Sequence, residues 1–238
     1  VSLRVRVKAA VQVVSDDGQF KRSGQRFLLH AIFAIKPVFQ RLPKLCQRHY
    51  TGCMSTPNPV EQPLFYGGRL LLAMPGIGDT NFDHATIALC SHDAEGAMGI
   101  DINRKIEGLG LRELLASFDI HGDAITDGPV LRGGPVEPQR GFVLHSTDWG
   151  GQAMLSVAPG WALSGSLDIL KAIGDGRGPT RYLVALGYAG WGAGQLESEM
   201  LRHGWFLGGA VDDEIWGMPV GQRWAHGFAE WGVDARML

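Results

Sequence analysis

The sequence predicts an α+β fold on two observations. Short apolar runs and amphipathic helical segments are intermingled without strict βαβ alternation, and the first strands are joined by hairpin-like turn chemistry. The 34 glycines among 238 residues are about twice the usual share, which points to many turns and close backbone approaches. With 45% hydrophobic residues the chain can enclose a substantial core, which excludes global disorder. No Gly-X-Y period is present, so a collagen-like fold is excluded as well. The apolar runs fall far short of the ~20 residues that span a bilayer, and no membrane association is expected.

Taken in order, RLLLAMP (69–75) is an apolar run ended by a proline and the turn-rich GIGDTNF, hence a buried strand. HATIALCSH (84–92) and AMGIDIN (97–103) read as two further strands, joined through DAEGA as a hairpin. GLRELLASF (110–118) sets Leu111, Leu114, Leu115 and Phe118 at helical spacing, an amphipathic helix. Short strands are expected at 130–132 and 142–146 around a Gly-Gly-Pro turn, with another at 153–157. SGSLDILKAIGDGRGP (164–179) opens on a serine cap candidate and ends in glycines, a short helix. RYLVALG (181–187) reads as a strand and GQLESEMLRHG (194–204) as a helix between glycines. WFLGGA and DEIW read as strand-like, and the closing PVGQRWAHGFAEWG as helical with proline near its first turn.

Charge divides the chain. Residues 1–53 hold ten Lys/Arg against Asp16 and Asp17, a balance of +8, whereas residues 54–238 hold twelve Lys/Arg against twenty-two acids, a balance of -10. Met54 is expected to be the native start of a single domain spanning 54–238. The basic segment 1–53 is then upstream sequence read from an alternative start codon. The competing reading is a genuine basic extension, flexible or loosely helical. Beyond Met54 the one cysteine is Cys90, so no internal disulfide framework is possible and a reducing cytoplasm is expected. An acidic body repels the DNA backbone, which makes direct DNA binding an unfavoured function.

The blocks LLLAMPGIGDTNF, CSHDAEGAMGIDINR, GGPVEPQRGFVLH and LGYAGWGAGQLESE resemble, in order, the signature blocks of the YqgE/AlgH family of bacterial proteins. The resemblance covers about residues 64–236, and the GYAGWGAGQLE block is its most specific part. It implies an α+β fold with a mixed, bifurcated sheet forming a pseudo-barrel with packed helices. It also implies the family's label of transcriptional regulator. The chain departs from the family's usual GLVINRP at Gly99–Lys105, where Asp101 puts a charge at an apolar strand position and the proline is missing. A family asparagine near the end of the GQLE helix is replaced around His203–Gly204.

Candidate chemistry is sparse. Cys90 and His92, two apart, would share a face of a strand, which allows a thiolate–imidazole pair. With no third member and no oxyanion site, a small buried cysteine followed by a strand-end histidine is the preferred reading. His145 is read the same way, and Cys90, His92 and His145 match no standard metal spacing. Glycines 187, 190, 192 and 194 before a helix invite comparison with a phosphate cradle. Yet the spacing is neither GxGxxG nor GxxxxGK[ST], and tight packing around Tyr188 and Trp191 is preferred. Glu197 points away from Gln195 and Glu199, which share a helix face; a solvated or capping role is expected for Glu197 and Glu199.

A non-enzymatic protein acting through protein or small-ligand contacts is therefore expected, with no cofactor, no metal and no catalytic residue assigned. A small hydrolase or transferase working at Cys90 or beside GYAGWGAGQLE is the alternative; the regulator of the family label is another. Both DTNF (79–82) and GGPV (133–136) recur as turns in the family. With GYAGWGAGQLE they are expected to meet on one surface carrying Asp79, Asn81, Arg140, Trp191, Gln195 and Glu199 as binding residues.

Overall fold

A computed structural model describes residues 65–151 and 154–238; the basic segment, Met54, Cys46 and Cys53 lie outside the described residues. Strands β1 (Arg69–Ala73), β2 (Thr86–Asp93) and β3 (Gly96–Asp101) form an antiparallel meander. The expected hairpin joins β2 to β3. Asp93 pairs with Gly96, the Asp93 side chain accepts the Glu95 amide at 2.8 Å, and Gly96 takes φ +142°. There follow β4 (Lys105–Gly110), α1 (Leu111–Ala116), β5 (Pro129–Arg132), β6 (Val136–Ser146), β7 (Met154–Ala158) and β8 (Trp161–Ser164). Next come α2 (Leu167–Gly174), β9 (Tyr182–Gly192), α3 (Gln195–Leu201), β10 (Trp205–Ala210), α4 (Glu214–Gly217) and α5 (Arg223–Ala229).

The strands join in the order β10-β1-β2-β3-β9-β6-β8-β7, with β4 and β5 branching from β9. Among the described residues only the β5–β9 pairing is parallel, so the sheet is mixed. It forks along β9: residues 185–186 pair with β5, and residues 189–192 pair with β3. A pseudo-barrel is what the family resemblance implies, but the sheet is not closed by hydrogen bonds: β10 and β7 are its ends. β7 approaches the β1–β2 side of the sheet through side chains, Val157 packing with Leu70, Ala88 and Val211, and passes close to Gly68. A Cβ on Gly68 would stand 2.7 Å from the Val157 carbonyl.

Strands β5, β6 and β9 are buried on both faces, and their alternation sorts the core. Val130, Val143 and Val184 face α1 and α2, meeting Leu114, Leu115, Ile169 and Ile173. Leu131, Phe142, Leu144 and Ala185 face the opposite way, toward Leu70, Cys90, Ile100 and Trp161. Each fully buried aliphatic or aromatic side chain here stabilises by about 1.5–3 kcal/mol.

Three sequence expectations are corrected. Glycines 187, 190 and 192 do not form a loop; they lie within β9, which runs on to Gly192, and of the three Gly187 is where the strand passes close to neighbouring backbone. DEIW folds as the short helix α4, a four-residue run being too short for period to decide between helix and strand. The helix at 164–179 shrinks to α2, and its N-cap Ser166 makes no side-chain capping bond. Helix α3 ends at its C-cap Arg202, followed by His203, which takes φ +58°. Glycine adopts that left-handed conformation freely and asparagine tolerates it better than most other residues, so histidine there is strained.

Candidate functional site

The corner where β9 turns into α3 carries the densest side-chain network among the candidate residues. Gly194, at φ +70°, makes the sharp turn that starts α3 at Gln195. Trp191 (6% exposed) and Trp205 (4%) pack beside Leu71, Ile87 and Leu196. Both indole Nε1 groups donate to one carboxylate oxygen of Glu199, at 2.9 and 2.8 Å. Gln195 Nε2 donates to the other oxygen at 2.8 Å, while Gln195 Oε1 accepts the Gly192 amide at 3.0 Å. The one-turn spacing of Gln195 and Glu199 is what lets one helix face close this network.

The DTNF turn docks on the same corner. Asp79 caps a 3₁₀ turn at Thr80–Phe82 by accepting the Asn81 amide at 2.8 Å, and both residues are exposed. Phe82 then stacks on Trp191 at 6.4 Å and meets Trp205 edge-on at 5.3 Å. Asp79, Asn81, Trp191, Gln195 and Glu199 thus belong to one corner. Arg140 does not join them. It pairs with Glu137 at 3.0 Å and lies 5.3 Å over the Phe142 ring, whose edge meets Tyr188. Tyr188 and Trp191, three apart on β9, face opposite sides of the sheet.

GGPV does meet GYAG, but through backbone. The Gly133 amide donates to the Leu186 carbonyl at 2.8 Å. A Cβ on Gly133 would stand 2.3 Å from the Gly187 carbonyl, and one on Gly187, at φ +76°, 2.4 Å from that of Gly134. These glycines are spent on close approach, as the packing reading expects, rather than on a phosphate cradle.

Cys90 and His92 do not share a face. A β-bulge between Leu89 and Ser91 shifts the alternation. Cys90 packs among Leu70, Ala88 and Ile100, while His92 reaches α3. Burial pushes the Cys90 thiol up to about 12, so a thiolate is suppressed. His92 Nδ1 accepts the Tyr66 amide at 3.1 Å, which leaves Nε2–H to donate to Glu197 at 3.0 Å. Glu197 is therefore no merely solvated carboxylate; it ties α3 to β2. The bulge is the signal that sequence periodicity missed. His145, fully buried, contacts the Ser146 carbonyl at 2.8 Å and Ser164 Oγ at 3.0 Å, and desolvation lowers its pKa. Among the described residues no group of three or more His, Cys, Asp or Glu side chains is placed to hold a metal ion.

Asp101, the charge at an apolar strand position, is fully buried. It accepts Arg104 Nε at 2.5 Å and the Asn103 amide at 2.9 Å; burial pushes its pKa up against the pull of Arg104. Nearby, Asn103 Oδ1 accepts the Gly221 and Arg223 amides at 3.1 and 3.0 Å, fastening the start of α5 to the end of β3. Arg223 went unnoticed in the sequence because the contacts that bury it against β3, to Asn103 and Ile102, span some 120 residues.

The fold and this corner can be set beside known proteins. A family model described as AlgH-like matches residues 70–236. A UPF0301 protein of Sphingopyxis alaskensis is 56% identical over 176 residues, covering 74% of this chain and 94% of that protein. One from Novosphingobium aromaticivorans is 53% identical over 174 residues, covering 73% and 94%. The solution structure of the AlgH protein from Pseudomonas aeruginosa is similar with a TM-score of 0.61 and 35% identity, over 77% of this chain and 96% of that one. A crystal structure of a Corynebacterium diphtheriae protein, 18% identical with a TM-score of 0.51 over 71% and 93% of the chains, shares the fold alone.

Proposed function

This chain belongs to the AlgH-like (YqgE/AlgH) family, and from that premise we propose that it is a cytoplasmic, non-enzymatic protein acting through protein or small-ligand contacts at the DTNF–β9–α3 corner. The observation that carries the reading is the Glu199 clamp. A carboxylate that accepts two buried indoles and Gln195 is committed to positioning, so the corner offers a fixed surface rather than a free base. Asp79 and Asn81 stand exposed on a turn that Phe82 pins to that clamp. The suppressed thiolate of Cys90 favours this reading over thiol catalysis. A regulatory role fits the same surface, exercised on a partner rather than on DNA, given the balance of -10 over residues 54–238. Cytoplasmic placement rests on Cys90 being the one cysteine of the body, free and buried. Among the described residues no helix is long and apolar enough to cross a membrane.

Native mass spectrometry of the protein taken from its own host tests the proposal. A retained partner or ligand should be lost when Asn81→Arg and Ala193→Arg are combined. Both positions are exposed turns, where stability should move by no more than about 0.5 kcal/mol each. Retention of the partner in that variant would remove this corner as the contact surface.

A further inference from the structure

A cleft of about 430 Å³ opens between the first turns of α1 and β9 and the segment that links α4 to α5. Its volume lies within the ~300–1,000 Å³ of small-ligand pockets. Leu183, Val184, Met218 and Val220 supply apolar wall, and Trp216 and Arg223 also line it. Trp216 is held flat against Trp161, with ring centroids 3.6 Å apart and planes 7° from parallel. Its indole Nε1 is buried and has no acceptor from the protein, a state that costs free energy unless something accepts from it.

The charge around Arg223 is unbalanced. Its guanidinium, in a residue only 4% exposed, donates Nε to Ile215 and Nη2 to Met218, each at 3.1 Å, and Nη1 to the Ile102 carbonyl. All three acceptors are neutral carbonyls, which leaves two of the five guanidinium N–H groups outside these bonds. The acid that faces it, Asp101, is already bonded to Arg104. Asp101 thus faces two guanidiniums, and Arg223 has no carboxylate bonded to it; the other acid near the cleft, Asp127, accepts the Arg112 and Gly128 amides instead. Burial accordingly pulls Arg223 down to about 10.

We propose that this cleft binds a small monocarboxylate with an apolar body, the carboxylate on Arg223 and the apolar part against Trp216 and Val220. A carboxylate would meet the guanidinium in the bidentate geometry it prefers, while the Trp216 ring and Val220 cover the apolar part. A bare inorganic anion would meet the charge but leave the apolar wall wet. The site lies apart from the Trp191 corner and does not depend on the function proposed there.

The full chain, labelled with ¹⁵N, should be titrated with phenylacetate and with its neutral isostere phenylacetamide. Trp216→Phe identifies which indole Nε1–H signal belongs to Trp216. That signal should shift saturably with phenylacetate, at an affinity at least about 10-fold above that for the amide. Val220→Phe, which narrows the cleft, should weaken phenylacetate about 10-fold or more while the other indole signals keep their folded positions. Absence of a saturable shift up to about 20 mM, a concentration that reveals even weak binding, overturns the proposal. Equal affinity for acid and amide, or undiminished binding by Val220→Phe, overturns it equally.

Discussion

Glu199 shows how one side chain sets a local geometry. Its loss would leave two indole N–H groups, on residues 6% and 4% exposed, without their acceptor. Each buried donor so stranded costs about 1–3 kcal/mol, so Glu199→Ala should destabilise by at least about 2 kcal/mol in urea unfolding. Glu199→Gln should recover part of that, since its amide keeps one oxygen. A loss below about 0.5 kcal/mol for the alanine variant would mean the indoles find other partners. Asp148 makes a pH-dependent contribution. The Ser146 hydroxyl, donating at 2.6 Å, and then Thr180 hold its carboxyl down to about 2 from a usual 3.8. The unfolded chain thus takes up the proton first, and the stabilisation is complete above about pH 4 and vanishes as pH falls through 2. The stability gap between wild type and Asp148→Asn should be flat at neutral pH and close between pH 4 and 2. Because Asp148 is exposed, that gap should stay within about 1 kcal/mol; a gap that does not change with pH would refute the assignment.

At the scale of the element, β9 is the strand on which the fold turns, pairing β3, β5 and β6 along its length. Two of its neighbourhood's glycines separate conformational strain from packing. Gly187 and Gly194 have nearly the same φ, +76° and +70°, yet a Cβ on Gly187 would meet the Gly134 carbonyl at 2.4 Å while one on Gly194 meets nothing within 4 Å. Gly194→Ala should therefore cost only the left-handed strain, about 1–2 kcal/mol. Gly187→Ala should cost clearly more, because backbone on both sides must shift, and thermal melting of the pair measures the difference. Equal losses would show that the close approach relaxes freely. The same strand explains what was legible in sequence. RLLLA and the DAEG hairpin announce themselves by apolar runs and turn residues. The half of β9 rich in glycine does not, since glycine lowers strand propensity where close packing requires it. KIEGLG, as β4, has no apolar alternation to read, and its burial is only partial. In the candidate corner, Gln195 and Glu199 were legible because they sit one helical turn apart, and Trp191 because it lies in the same short block. Phe82, Trp205 and the His92–Glu197 bond were not, being joined only by long-range packing and a bulge.

For the molecule as a whole, the electrostatic division decides what partners the body can hold. Residues 54–238 carry -10, and Arg104, one of their twelve cations, is paired with the buried Asp101. DNA affinity comes mainly from cations that displace counterions from phosphates, and an acidic body opposes that step at long range. The +8 of residues 1–53 would act the other way. The two parts thus predict different behaviour from one chain. Protein spanning residues 54–238, which keeps every described residue, should fail to shift duplex DNA in a gel at about 150 mM salt. The full chain should show only non-specific association, the same for any sequence and steeply weakened between about 50 and 200 mM salt, as a polycationic segment dictates. Sequence-specific binding requires groups that read base edges from a groove, usually on a helix or strand whose surroundings are basic. Helix α3 instead carries two half-buried acids, Glu197 and Glu199, with its C-cap Arg202 bonded back to Ser198. A sequence-specific shift by the 54–238 protein at that salt would overturn the contact-surface reading and return the family label of regulator to direct action on DNA.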